Sequence, residues 1–141
     1  MVADRLTDGV RIGQLLASEV TGNEGRLRRL TLADANPDVE PTADGALAYR
    51  IVRTVDDDTT EAAERLIAEV YVQSDRVRLE FVGGDTDGAD DLPTVTAAAA
   101  EEAGLRVRPK AVRPPRTLVF VEDGAQVKRA LPVLAAAVDA I

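Results

Sequence analysis

The sequence predicts an α+β fold: one antiparallel sheet of about five or six strands, two long helices packed on one face, and a short Ala-rich helix between strands. Three observations carry that expectation. Amphipathic stretches with helical spacing stand near the two ends of the chain. Between them, runs such as Leu66–Val72 and Val77–Phe81 alternate apolar and polar residues, as strands with one buried face do. The turn residues Gln73-Ser74-Asp75-Arg76 join those two runs into a β-hairpin, with Arg76, Arg78 and Glu80 on its wet face.

The first helix is expected from about Thr7 to Thr21, with Thr7 or Asp8 as N-cap and Gly22 as its stop. Leu6, Val10, Ile12, Gly13, Leu16, Ala17 and Val20 share its apolar face. Gly13 and Ala17 lie one turn apart in that stripe, where small side chains permit close approach, either to the sheet or to the helix of a second subunit. A short strand follows at Leu27–Ala33, then a longer one at Leu47–Val55. Residues 61–72 are ambiguous, since Glu61–Arg65 favours helix; the alternation from Leu66 decides for a strand. The Ala-rich helix is expected at about Pro93–Ala103, with Gly104 as its stop and Leu92, Val95, Ala99 and Ala103 as its apolar seam. Strands at Leu105–Arg108 and Thr117–Val121 come next. The second is apolar on both faces, which suits a central position. The last helix begins near Gly124, with Val127, Ala130, Leu131, Leu134, Ala137, Val138 and Ile141 on one face and Pro132 opposite.

The 141 residues fit a single domain, 1–141, and their 45% hydrophobic content supports a real core. That core must be aliphatic, because Tyr49, Tyr71, Phe81 and Phe120 are the only aromatics. The absence of Cys excludes disulfides, thiolate metal sites and Cys nucleophiles; the absence of His excludes Ser-His-Asp triads and His-ligated zinc. No catalytic residue, metal or cofactor is expected. The N-terminus lacks the pattern of a signal peptide, and the longest apolar stretch, Ala130–Val138, is too short to span a bilayer, so the expected setting is the cytoplasm.

Charge is distributed unevenly. There are 15 Arg against 2 Lys and 15 Asp against 10 Glu, for a net charge of −8. An acidic, Lys-poor surface suits a protein that must hold water against concentrated salt, and a high genomic GC content produces the same bias. The run Asp56-Asp57-Asp58 reads as a solvated turn. The loop from Asp85 to Asp91 fails as a calcium loop, because its sixth and twelfth positions are Asp90 and Thr96 rather than Gly and Glu. Glu101 and Glu102 read as solvated helix charge.

One segment departs from this background. From Ala103 to Val121 there is no acidic residue, while Arg106, Arg108, Lys110, Arg113 and Arg116 supply five positive charges. The remaining residues hold 12 basic and 25 acidic groups, a net of −13. Either these cations form an anion-binding site for phosphate or carboxylate, or they answer the protein's own carboxylates across neighbouring strands.

The stretches Asp4 to Glu19 (DRLTDGVRIGQLLASE), Val39 to Gly45 (VEPTADG) and Arg106 to Arg129 resemble a family of small uncharacterised haloarchaeal proteins. That resemblance implies a salt-rich cytoplasm. The order of elements is also similar to that of type III secretion chaperones and YbjN-like proteins, which implies an acidic dimer that binds other polypeptides. The expected function is a non-enzymatic interaction module, a homodimer that binds a polypeptide partner. The alternative is a small RNA- or phosphate-binding protein that uses residues 106–116.

Overall fold

Helix α1 (Gly9–Thr21) starts at the expected cap: the Asp8 carboxylate accepts a hydrogen bond from the Arg11 amide at 3.2 Å. At its other end the Gly22 amide returns to the Ser18 carbonyl at 2.9 Å. The structure, a computed structural model, describes residues 8–22, 25, 27–55, 63–82, 92–110 and 116–140. After α1 come strands β1 (Leu30–Ala33), β2 (Ala46–Val55), β3 (Ala63–Val72) and β4 (Val77–Val82). Helix α2 (Leu92–Glu102), strands β5 (Arg106–Lys110) and β6 (Arg116–Val121) and helix α3 (Gly124–Ala140) complete the order. The run Asp56–Asp58, expected as a solvated turn, and the acidic loop from Asp85 to Asp91 lie outside the described residues, as does Arg113.

The six strands form one sheet in the order β1-β2-β3-β4-β6-β5, and every pair is antiparallel. The α+β class holds, and all three helices lie on one face. Strand β6 has neighbours on both sides but lies one place in from the edge rather than at the centre, which β3 and β4 occupy. Its continuous apolar run arises differently. Val119 and Val121 face the helices, while Phe120, on the other face, is covered by Arg76 at 5.1 Å from the ring centre. Residues 27–29 form a turn closed by the Leu30 amide on the Leu27 carbonyl, so β1 starts three residues later than the apolar pattern suggests.

Two bulges set the phase of β2 against β3. Leu47 opposes Tyr71 while Tyr49 opposes Val70, so Ala48 is the extra residue. A second shift, between Ile51 and Val52, makes Ile67 extra on β3. Strict alternation from Leu47 would send Tyr49 to the uncovered face. The bulge turns it to the helices instead, where its hydroxyl donates to the Gly13 carbonyl at 2.7 Å. Burial pushes the Tyr49 phenol pKa well above its ordinary value, so the group stays a neutral donor.

Glycine lets α1 lie against the β3–β4 hairpin. The Gly9 amide donates to the Ser74 carbonyl at 3.1 Å, and a Cβ at position 9 would stand 1.8 Å from the Gln73 carbonyl oxygen. Four residues on, a Cβ at Gly13 would meet Val72 and Val77 at 3.5 and 3.7 Å. Gly13 therefore approaches its own sheet and is buried there, and Ala17 is half-buried beside it. The face of α1 is completed by Ile12, Leu16 and Val20, none more than 1% exposed.

Helix α2 ends in a Schellman motif: Gly104, at φ 77°, donates to Glu101, and Leu105 donates to Ala100. Its buried residues are Leu92, Thr96 and Ala100, which corrects the expected seam of Leu92, Val95, Ala99 and Ala103 by about one position. Thr96 reads as polar, yet its hydroxyl donates to the Leu92 carbonyl one turn back at 2.7 Å and can be buried without an unsatisfied group. Val95, Ala99 and Ala103 pack half-buried toward α3 instead. Helix α3 is capped reciprocally. The Asp123 carboxylate accepts from the Gln126 amide, and the Gln126 side chain accepts from the Glu122 amide. It buries Val127, Ala130, Leu134 and Ala137 of the expected stripe and Val133 and Ala135 in addition, because both α1 and α2 pack on it; Leu131 and Val138 are half-buried, and Ile141 lies outside the described residues.

Replacing Gly9 with Ala is expected to lower stability by about 1–3 kcal/mol, the usual cost of overpacking. Urea unfolding checks this, and an unchanged midpoint would show that the hairpin yields at no cost.

Candidate functional site: the uncovered sheet face

Among the described residues no helix covers the second face of the sheet. The register brings to it Arg50 from β2, Glu69 and Tyr71 from β3, and Arg78 and Glu80 from β4. Arg116 and Phe120 come from β6, and Arg106, Arg108 and Lys110 from β5. Glu69 and Glu80 are directly opposed across two antiparallel strands, an arrangement that repels. Neither is solvated: Glu80 is 1% exposed and Glu69 6%. The expectation of a wet Glu80 is thus corrected, since a ring of cations replaces the water.

Arg116 closes the pair. Its Nη1 donates to Glu69 Oε1 at 2.6 Å and to Glu80 Oε1 at 2.9 Å, bridging three strands from one atom. Arg50 donates from Nε to Glu69 Oε2 at 3.0 Å and pairs on its other side with Asp34. Arg78 donates from Nε to Glu80 Oε2 at 2.9 Å, and its guanidinium lies over the Tyr71 ring at 4.7 Å. The Tyr71 hydroxyl donates to Glu69 at 3.2 Å, and Lys110 Nζ stands 3.6 Å from Glu80. Burial by itself raises the Glu69 pKa, but hydrogen bonds from Arg116 and Arg50 outweigh it and hold the carboxyl below its ordinary 4.5. Burial raises the Tyr71 phenol, and the neighbouring charges of Glu69 and Glu80 add to it. Burial lowers the Arg116 pKa, yet its bonds to Glu80 and Glu69 more than offset this and leave it raised.

The four described cations of the basic segment are therefore not equivalent. Arg116 and Lys110 are partners of the protein's own carboxylates. Arg106 reaches Glu122 at 4.0 Å while just over half its side chain stays in solvent. Arg108 is exposed and has no partner among the described residues. Sequence reasoning missed Glu69, Arg50 and Tyr71 as members of this face. The alternation of β3 and β4 was a usable signal, because it puts Glu69, Tyr71, Arg78 and Glu80 on one side; the bulge that brings Arg50 there left none.

The arrangement is a network of charges within the sheet itself. Glu69 is held as an ionised acceptor, and among the described residues no group of acidic side chains is placed to hold a metal ion. No described helix is long and apolar enough to cross a membrane.

Replacing Arg116 with Met leaves the two glutamates facing each other. The expected loss at neutral pH is about 2–3 kcal/mol, below the 3–5 typical of a fully buried pair, because a quarter of Arg116 meets solvent. The folded pKa of Glu69 lies below its unfolded value. Its contribution is therefore complete above about 4.5 and lost as pH falls through the folded value. The gap between wild type and variant should accordingly narrow on acidification. Urea titrations at a series of pH values check this, and a pH-independent gap would mean that Arg116 acts through packing alone.

No curated protein and no solved structure matches the chain. The family model described as Family of unknown function (DUF7993) matches residues 1–141, and the chain belongs to that family.

Proposed function

We propose that the protein is a non-enzymatic binding module of a salt-rich cytoplasm, acting as a homodimer, whose uncovered sheet face takes an acidic polypeptide. The observation that carries this reading is the charge of that face. Among the described residues, Arg50, Arg76, Arg78, Arg106, Arg108, Lys110 and Arg116 stand against Asp34, Glu69, Glu80 and Glu122, seven cations to four carboxylates, in a chain of net charge −8. The surplus lies at the β5 end, where Arg106 and Arg108 are exposed. Guanidinium groups bind carboxylates bidentately, so a segment rich in Asp or Glu matches them. RNA is the second reading, because the exposed guanidinium groups of Arg106 and Arg108 suit phosphate as well as carboxylate. It ranks lower, because molar salt suppresses phosphate contacts and the rest of the acidic chain repels a polyanion as long as RNA.

Labelled polyglutamate should bind, and exchanging Arg106 and Arg108 together for Glu should weaken it at least tenfold, about 1.4 kcal/mol. Stability should change by no more than about 0.5 kcal/mol, as for ordinary surface positions. Fluorescence anisotropy at the lowest salt that preserves the fold measures this. Equal binding by the double variant, or tighter binding of a single-stranded RNA, would defeat the reading.

The salt-rich setting has its own test. Screening relieves the self-repulsion of the net charge, so the thermal midpoint should rise between roughly 0.1 M and 2 M KCl. A chaotropic salt series separates that screening from strengthened apolar burial. Equal midpoints would leave base composition as the origin of the acidic bias.

A further inference from the structure

Strand β5 is an edge: among the described residues it pairs with β6 alone. Its two sides differ. Arg106, Arg108 and Lys110 oppose Phe120, Leu118 and Arg116 and so stand on the uncovered face, whereas Val107 and Pro109 oppose Val119 and Thr117 on the helix side. There they line a trough of about 660 Å³ together with Thr94, Ala97, Ala98 and Glu101 of α2, and Lys110 and Arg116 also border it. Proline is tolerated in an edge strand where its nitrogen faces away from the sheet. In an antiparallel ladder the residue two places along turns its backbone the same way, so a Pro109 placed in this manner sets the N–H and C=O of Val107 outward, while Pro109 itself offers only its carbonyl.

We infer that β5 accepts an extended segment of the partner as a seventh strand, and that this segment alternates acidic residues with small apolar ones. The inference rests on the proposed acidic partner and adds how that partner is read. Residues directly opposite in an antiparallel pair share a face. Acidic side chains of the incoming strand therefore meet Arg106, Arg108 and Lys110, while every second side chain drops beside Val107 and Pro109 into the trough. The alanines of α2 leave room there for a valine and leave a longer side chain in solvent. Main-chain bonds to Val107 supply affinity, and the two rows of side chains supply selection. The same cations exclude a second copy of β5, which would set Arg and Lys against Arg and Lys; charge of this kind is how natural edges avoid pairing with themselves.

Two labelled peptides of identical composition test this: one alternates Glu and Val, and the other arranges them as Glu-Glu-Val-Val repeats. Anisotropy should show the alternating peptide binding at least tenfold tighter, and hydrogen exchange should show its binding protecting the Val107 amide. A Val107→Pro variant, which removes an outward N–H and no ladder bond, should lose the preference; the exchange measurement on wild type decides even if that variant folds poorly. Equal binding of the two peptides without protection of Val107 overturns strand addition and leaves the acidic-partner reading standing. A preference without protection also overturns it, since side chains alone would then be making the contact. Binding of neither peptide overturns both.

Discussion

Three helices cover one face of a six-stranded sheet, and the rest of the molecule answers to what that leaves open. The uncovered face must be polar to meet water, yet its central strands place Glu69 and Glu80 side by side with almost no access to solvent. Removing two carboxylates from water is costly unless nearly every lone pair finds a donor. Arg116, Arg50, Arg78, Tyr71 and Lys110 supply those donors from five strands. Buried ion pairs add little net stability compared with apolar packing. This one does constrain register: a slip of β6 by one residue would turn Arg116 to the helix side and strand both glutamates.

The helix layer solves a different problem with small residues. Gly9 and Gly13 let α1 approach the β3–β4 hairpin at backbone distance, and the Tyr49 hydroxyl fastens the helix to β2 from below. Between α2 and α3 the contact is made largely by alanine, which packs closely without filling space, so shallow grooves remain on both sides of α2. A core with few aromatics is thereby made continuous from α1 to α3, at the expense of a smooth outer surface near β5.

These two solutions meet at β5. Its cations belong to the uncovered face and its Val107 and Pro109 to the helix layer, so one short strand presents charge on one side and a small apolar trough on the other. Within the basic segment, Arg116 and Lys110 are consumed by pairing with Glu69 and Glu80, whereas Arg108, on the same edge strand as Lys110, is left to solvent. Internal pairing is therefore divided along the segment by distance from Glu80.

The sequence by itself determined the α+β class, the hairpin at 73–76, the caps at Asp8, Gly22 and Gly104, and the chemistry that the absent His and Cys forbid. All of these depend on local periodicity, backbone conformation or residue inventory, which neighbours in the chain report. Only the tertiary structure decided the bulges at Ala48 and Ile67, because one extra residue in a ladder is visible only against its partner strand. It also decided that Glu80 is buried, that Thr96 belongs to the core, and that Arg116 pairs with Glu69 and Glu80 while Arg108 stays in solvent. Each depends on a group distant in sequence: Glu69 is 47 residues from Arg116, and nothing along the chain between them records that they share one hydrogen.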